Sequence, residues 1–309
     1  MGAAIVDIVI PVFNARDDLR RCINSVRLHT PAGDHCLVLI DDASTDPGIA
    51  AYLAELAAER VPGLELLRNP ENLGFVATAN RGMALRPDRD VLLLNSDTIV
   101  TAGWLEKIRR CADSDPCIGT VTPFSNNAEI CSFPLFCRDN PLAELPSIGQ
   151  IAAALATRAP TYPDLPTAVG FCMFVSRRLI DKIGTFDAET FGKGYGEEND
   201  FCMRAAAAGF RNVLCDDAFV AHVGGRSFDD RRLAMMAENA RRLLARFPEY
   251  SRLVQDFIAA DPLREIREAA WARLNSAPRP FLPEDTPRVL LGIDGGGDGQ
   301  EESGSEYTG

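Results

Sequence analysis

The sequence predicts an α/β fold in which a mainly parallel, mixed sheet is flanked by helices. Three observations carry that expectation. Apolar runs of strand length alternate with stretches of helical periodicity. Short polar clusters follow three of those runs: Asn14 after Pro11-Val12-Phe13, then Asp41-Asp42-Ala43-Ser44, then Asn95-Ser96-Asp97-Thr98. In an open α/β sheet, ligands bind beyond the carboxyl ends of the strands, so clusters in that position predict one shared pocket at one sheet edge.

The first strand-length run covers 5–12, after which Leu19, Cys22, Ile23 and Val26 follow the i, i+3, i+4, i+7 spacing of a helix. A strand at 36–40 and a helix carrying Ile49, Tyr52, Leu53 and Leu56 repeat the unit. Further strands are expected at 64–67, 91–94, 118–122, 169–175 and 213–220, which is the alternation of a sheet covered on both faces. From 126 to 166 the pattern weakens into proline-punctuated segments with one alanine-rich, helix-like stretch at 151–157, and this region reads as an excursion over the pocket. Beyond 220 the chain turns helical. Leu233, Met236, Ala240, Leu243, Leu244 and Phe247 share a face opposite Arg231, Arg232, Arg241, Arg242 and Arg246. That helix is read as packed on the catalytic domain, with a membrane-surface helix drawn to anionic lipid as the alternative. The expected organisation is a catalytic domain over 1–228, a helical extension over 229–275, and a linker or tail rich in proline, glycine and acids over 276–309, disordered from 294.

Length and composition narrow the function. The 309 residues suffice for a sizeable core. Of the formal charge of −12, the stretch 284–309 supplies −6, with seven acids against Arg288; the body is mildly acidic, which argues against a nucleic-acid partner. Arginine outnumbers lysine 29 to 3, so position rather than identity must decide whether an arginine meets phosphate. The nine cysteines show no CxxC pair, and Cys172 and Cys202 sit in apolar or helical patterns, so they read as reduced core residues of a cytoplasmic protein. Neither a secretory leader nor an apolar run long enough to span a bilayer is read from the sequence.

The polar clusters supply the candidate chemistry. Asp97 directly follows an apolar strand, where a carboxylate can share a divalent cation with a diphosphate; capping the helix around 104–111 is the plainer alternative. Asp41 and Asp42 can accept hydrogen bonds from a nucleobase N–H and ribose hydroxyls, or cap the helix beginning near Pro47. Asn69, Asn72, Gly74 and Asn80 extend the theme, and the Asn72-Leu73-Gly74-Phe75 turn would let backbone approach a ligand. The densest acidic site is Glu197, Glu198 and Asp200. First-turn acids commonly serve the helix dipole, yet three acids in four residues repel one another, and a carboxylate of raised pKa suits a general base for a sugar hydroxyl. His222 ends another strand ahead of Gly224-Gly225; it is either structural or, with Asp97, part of a mixed nitrogen and oxygen donor set that suits manganese somewhat better than magnesium.

With these residues in place the chain resembles a family 2 glycosyltransferase of the GT-A fold, in its rhamnosyltransferase-like bacterial branch. Five segments carry the resemblance in order between 6 and 228: Ile10-Pro11-Val12-Phe13-Asn14, Asp41-Asp42-Ala43-Ser44, Asn72-Leu73-Gly74-Phe75, Leu94-Asn95-Ser96-Asp97-Thr98, and Gly196-Glu197-Glu198-Asn199-Asp200. The resemblance implies nucleotide contacts at Pro11, Val12, Asn14 and Asp41, with Asp42 beside them. The family's D-x-D metal motif falls on Asn95, Ser96 and Asp97, so its first carboxylate is absent here and Asp97 is left as the metal-binding acid, with His222 as a late ligand. Glu198 is the implied base, and Glu197 and Asp200 orient the acceptor or sugar. The implied reaction is inverting transfer from a nucleoside-diphosphate sugar, UDP- or dTDP-linked, to a hydroxyl of a glycan or lipid-linked acceptor in cell-surface polysaccharide synthesis. It takes a divalent cation, Mn2+ or Mg2+, as cofactor, with a peripheral contact at the inner membrane face left open. Residues 287–297 look like the opening strand and glycine-rich turn of a GT-B domain, the start of a further glycosyltransferase domain or a low-complexity tail.

Two other readings stand beside this one. A nucleotidyltransferase would share the sheet, acids and metal but would carry a glycine-rich basic loop after the first strand, and residues 8–20 hold no glycine. A nucleotide-sugar-binding protein with impaired catalysis draws on Asn95, against the retention of Glu197, Glu198, Asp200 and His222.

Overall fold

The computed structural model describes residues 5–223 and 230–275. In chain order these form β1 (Val6–Val12), α1 (Arg16–His29), β2 (His35–Asp41), α2 (Pro47–Glu59), β3 (Leu64–Arg68), α3 (Phe75–Met83), β4 (Val91–Leu94), β5 (Thr98–Val100), α4 (Trp104–Asp113) and β6 (Ile118–Phe124). Two 3-10 turns, Glu129–Cys131 and Leu142–Glu144, precede α5 (Ile148–Leu155), β7 (Cys172–Val175), α6 (Arg177–Ile183), α7 (Ala188–Phe191), α8 (Glu197–Ala207) and β8 (Arg211–His222). Helices α9 (Asp230–Arg246), α10 (Tyr250–Ala260) and α11 (Arg264–Leu274) follow.

The strands lie in the order β3-β2-β1-β4-β7-β6-β8-β5. β1 pairs in parallel with β2 and β4, and β2 with β3. β7 runs antiparallel to β4 and β6, β8 parallel to β6, and β5 antiparallel to the end of β8. The alternation of side chains along a strand splits the core. Ile8, Ile10 and Val12 of β1 pack into one cluster with Leu19, Ile23 and Leu92, whereas Val9 packs into another with Val38, Val76, Met83 and Val91. Gly82 in α3 is what allows the second packing, since a Cβ there would stand 2.3 Å from Val9 Cγ1. Because β2, β1 and β4 are neighbours, their polar carboxyl ends fall side by side.

The mixed α/β expectation agrees with this sheet, and the differences are local. β5 is a three-residue strand inside what reads as a polar cluster; its partner is the far end of β8, which the sequence does not bring near. β7 starts at Cys172 rather than 169 because the preceding backbone serves the site: Phe171 O accepts the Asn95 N–H at 2.8 Å, and Val169 N–H donates to Thr122 Oγ1 at 3.3 Å. The Asn72–Phe75 turn opens a helix, α3, which has no long apolar periodicity. In the excursion, α5 begins three residues ahead of the predicted stretch, set by a capping box in which Ser147 and Gln150 satisfy each other's backbone N–H groups.

Leu263, just ahead of α11, and Ile266 and Ala270 within it join the larger core cluster, while Leu243 of α9 and Tyr250 and Val254 of α10 pack with Phe191 and Met203. Two of the arginines of α9 that read as a solvent or lipid face, Arg242 and Arg246, reach back to the sheet domain while staying exposed. Arg246 Nη1 lies 2.6 Å from Asp200 Oδ1, and Arg242 Nη1 donates to Thr190 O at 2.5 Å. No helix among the described residues is long and apolar enough to cross a membrane. The expected domain boundary at 228, the tail over 276–309 and the strand-like segment at 287–297 lie outside the described residues.

Candidate active site

At the ends of β1 and β2 the chain folds on itself through side chains. Asn14 Oδ1 accepts the N–H groups of Thr45 and Asp46, both at 2.9 Å, and its own N–H donates to Ser44 Oγ at 2.9 Å. Asn14, Ala15 and Ala43 have φ of 58°, 55° and 55°, conformations that cost a non-glycine residue about 1 kcal/mol or more. The two loops are therefore held in shape against their own preference. Pro11 and Val12 pair with Ile40 and Asp41 across the sheet, which places Asp41 at the same level. Asp41 is 1% exposed; Oδ1 accepts the Ser44 N–H, and Oδ2 has Arg68 Nη1 at 2.8 Å without hydrogen-bond alignment.

Asp42 is engaged by the chain itself. Its Oδ1 accepts Asn69 Nδ2 and Leu73 N–H at 2.7 and 2.9 Å, and Oδ2 accepts Gly74 N–H at 2.8 Å, so the carboxylate builds the 69–74 turn. Asn80 acts as a latch: its amide donates to Phe186 O at 2.8 Å and accepts Phe186 N–H at 3.0 Å. The close approach that Gly74 permits, at φ 88°, is to protein rather than ligand, because a Cβ there would stand 2.7 Å from Lys193 Cα. Asn72 Oδ1 accepts Lys193 Nζ at 2.7 Å, and Phe75 N–H donates to Lys193 O. The 72–75 turn thus fixes the loop that leads into Glu197 and Glu198.

Asn95, Ser96 and Asp97 form the turn between β4 and β5. Asn95 O receives the Thr98 hydroxyl at 2.8 Å. Pairing of Thr98 with His222 brings Asp97 Oδ1 to 3.4 Å from His222 Nε2. His222 Nδ1 lies 2.8 Å from Asn127 O; a carbonyl only accepts, so Nδ1 carries the proton and Nε2 is the atom facing Asp97. Burial alone would weaken proton binding at His222, but the Asp97 carboxylate and the Asn127 carbonyl outweigh it and hold the imidazole above its ordinary value. Among the described residues no group of three or more His, Cys, Asp or Glu could hold a metal. The pair fits a cation whose remaining ligands come from substrate oxygens and water, the usual arrangement at diphosphate sites.

Glu197 and Glu198 open α8, after Gly196 at φ 99°. A helix N-terminus favours ionised carboxylates by up to about 2 kcal/mol. Desolvation wins here. Burial, with the neighbouring Glu129 charge, lifts Glu198 to about 7, and burial with the Glu198 charge lifts Glu197 well above the usual carboxylate range. Both Oε2 atoms are buried without a hydrogen-bond partner among the described residues. Asp200 does not share this state: its oxygens take Arg204 Nε at 2.7 Å and Arg246 Nη1 at 2.6 Å, so in this structure it ties α8 to α9.

Sequence reasoning missed what the later helices and the excursion bring. The Asn239 amide of α9 donates to Phe191 O at 3.0 Å and Gly194 O at 2.7 Å, gripping the acidic loop from behind. Tyr250 of α10 is buried, faces Thr167, and is pushed up by burial and by the charges of Glu129 and Glu198. Asn239 is a polar residue amid the apolar face of a helix, and that is the one signal that pointed to it.

The sequence profile of glycosyl transferase family 2 matches residues 7–184, more than half of the chain. The pre-mycofactocin glycosyltransferase of Mycobacterium tuberculosis is 29% identical over 253 residues, covering 79% of this chain and 48% of that protein. The chain thus spans about half the length of this relative. Among solved structures, GalNAc-T7 with UDP, GalNAc and Mn2+ superposes with a TM-score of 0.61 at 17% identity, covering 87% of this chain and 55% of the other. The mannosyltransferase PcManGT of Pyrobaculum calidifontis, in complex with GDP-Man and Mn2+, gives 0.58 at 18% identity and covers 91% and 77%. Both likenesses speak to the fold, which is GT-A.

Proposed function

The chain belongs to glycosyl transferase family 2, and we propose that it is an inverting, divalent-cation-dependent enzyme that moves a sugar from a UDP- or dTDP-linked donor to a hydroxyl of a glycan or lipid-linked acceptor. The observation that carries this reading is Glu198, a half-buried residue whose carboxyl has one buried, unpartnered oxygen and is raised to about 7, in the first turn of the helix reached by the loop that the 72–75 turn fixes. A base of that strength operates near neutral pH.

In the proposed reaction the nucleotide lies along the ends of β1 and β2, against Pro11, Val12, Asn14 and Asp41. Asp41 Oδ2, near Arg68 but unaligned with it, retains capacity for a base N–H. Asp97 and His222 would hold the cation, with Asn95 and Ser96 beside them; when bound, it would neutralise charge on the departing diphosphate. Glu198 takes the proton of the acceptor hydroxyl as that oxygen bonds to the anomeric carbon. The bond from that carbon to the diphosphate oxygen breaks, and its electron pair leaves with the nucleoside diphosphate. Attack opposite the leaving group inverts the anomeric configuration. Cell-surface polysaccharide is the proposed product, with rhamnose among the candidate sugars, and the cytoplasm or the inner membrane face the place of work.

Calorimetric titration with UDP and dTDP, each with manganese and with EDTA, tests the donor site. Manganese-dependent binding of either is the expected result, and no binding of any would refute the reading. The missing carboxylate at Asn95 favours one rival, a nucleotide-sugar-binding protein of impaired activity; it predicts the same binding with no sugar transferred or released to water.

A further inference from the structure

The excursion brings an acid to the pocket that lies outside the five motifs. Glu129 opens the first 3-10 turn at φ 46°, in the left-handed region that costs a residue with a Cβ. The turn is tied down on both sides. Ala128 N–H donates to Ser132 Oγ at 3.0 Å, and Glu129 O accepts the Ser132 and Cys137 N–H groups at 3.0 and 3.1 Å. Just before it, Asn127 O meets His222 Nδ1, while Asn126 accepts from His222 N–H at 2.9 Å and donates to His222 O at 3.0 Å. The strained turn is thus built onto the strand end that carries His222.

The same wall continues to Glu198. Phe171 stacks on the His222 ring with centroids 5.3 Å apart, and a Cβ on Gly170 would stand 3.9 Å from Glu198 Cγ. Glu129 and Glu198 therefore flank the short wall made by Gly170, Phe171, His222 and Asn127. Their proximity shows in their charges: Glu129 raises the proton affinity of Glu198, and both raise that of Tyr250. The Glu129 side chain keeps access to solvent while surrounding protein desolvates it enough to raise its own carboxyl. Beside it stand two atoms that ask for a ligand. Glu197 is 4% exposed, and its Oε2 and that of Glu198 are buried without a partner among the described residues. Such atoms destabilise a protein unless something bonds to them.

We propose that Glu129 is an acceptor-binding residue that, with Glu197 and Glu198, takes the hydroxyl groups of a glycoside. This deepens the glycosyltransferase reading and rests on it. Carboxylate oxygens accept hydrogen bonds from hydroxyls, a protonated carboxyl donates one as well, and a sugar presents several hydroxyls that can do both. The strained backbone at Glu129 holds the side chain where a relaxed turn would not.

The test uses the full chain and the variants Glu129→Gln, Glu129→Asp and Glu198→Gln. Ligand-observed NMR follows binding of a panel of methyl and p-nitrophenyl glycosides in the presence of UDP and manganese, with UDP affinity by calorimetry as the donor-site control. Glu129→Gln should weaken glycoside binding at least tenfold, and Glu129→Asp should recover part of it. Separately, 13C NMR of labelled glutamate carboxyls, with Glu198 assigned through Glu198→Gln, should show its titration midpoint falling in Glu129→Gln, because a negative neighbour is gone. Glu197, Tyr250, Cys131, Cys137 and Cys202 also interact with Glu129 or Glu198 and stay in place. Equal glycoside binding in the wild type and Glu129→Gln, a wild type that binds UDP but no glycoside, or an unmoved Glu198 midpoint would each overturn the proposal. Loss of UDP binding in the wild type would instead sink the donor reading, and the carboxyl titration would still judge Glu129.

Discussion

At the ends of β1 and β2, nearly every polar side chain is already held by the chain. Asn14 and Asp42 satisfy backbone N–H groups, as Asn80 does from the neighbouring α3, and Asp41 supports its own loop. At the start of α8, Glu197 is buried, Glu198 is half-buried, and each has a buried Oε2 with no hydrogen-bond partner among the described residues, while the Glu198 charge raises Glu197. The first region is a preorganised cradle whose hydrogen bonds exist before any ligand arrives. The second stores unfavourable free energy that a bound acceptor or a transferred proton would relieve. A donor common to many enzymes needs a rigid frame, whereas the reacting carboxylate needs an environment that makes it basic.

The sharpest way to break this contrast is to remove chemistry without removing the frame. Glu198→Gln should lower turnover by about 10^3-fold and leave UDP affinity within about twofold, as read by calorimetry beside an initial-rate assay with the donor that supports transfer. Asp97→Ala should lose both. Equal loss of donor binding in the two variants would contradict the division of roles. On the frame side, Asp42→Ala leaves Leu73, Gly74 and Asn69 donors unmet near the pocket, with an expected cost of about 3 kcal/mol in urea unfolding. It should also weaken UDP, because the turn it holds braces the loop under Lys193.

The two regions also differ in how far the sequence revealed them. The region proposed as the donor cradle lies in segments that each follow a continuous apolar strand, so its place in the fold was legible from pattern alone. What pattern could not show was that Asp42 and Asn80 spend their polar atoms on the fold; an acid at a strand end looks the same whether it meets ribose or Gly74 N–H. The acceptor side is assembled from parts far apart in the chain. Tyr250, Asn239 and Glu129 reach Glu198 or its loop from separate elements, and none sits at a strand end or in a spacing that implies a partner. Asp200 reads like its neighbours Glu197 and Glu198, yet one helical turn of arginine spacing, to Arg204, and an arginine from α9 give it a different task.

The stored free energy predicts a pH dependence of stability. Glu198 titrates near 7 in the folded chain against 4.5 when exposed, so folding favours its protonated form. Stability from this group is full below the exposed value and is lost as pH climbs from 4.5 towards 7; Glu197, raised and coupled to it, acts in the same direction. Glu198→Gln should therefore stabilise the protein at pH 8 by on the order of 2 kcal/mol, and the gain should fade to nothing near pH 4. Urea midpoints at pH 4, 6 and 8 check this. A variant no more stable than the wild type at pH 8 would show that the carboxyl is better solvated than its burial implies, and would remove the contrast with the donor side.

The smallest effect sharpens the comparison most, because it asks whether the helices beyond the sheet merely pack or set the acceptor side. Asn239 lies on α9, touches no candidate ligand, and donates to two carbonyls that flank the turn before Glu197. Asn239→Ala should cost about 1–2 kcal/mol of stability, which a passive clamp would also lose. The distinguishing measurement is made well below the melting range. If α9 holds the acidic loop in its desolvated position, kcat should fall about threefold to tenfold and the acid limb of the rate profile should move to lower pH, since a loosened Glu198 is better hydrated and less basic. UDP affinity should stay put, because Asn72 and Lys193 still brace the loop on the donor side. Stability loss with an unmoved pH limb would confine α9 to packing and leave the basicity of Glu198 to burial by the excursion.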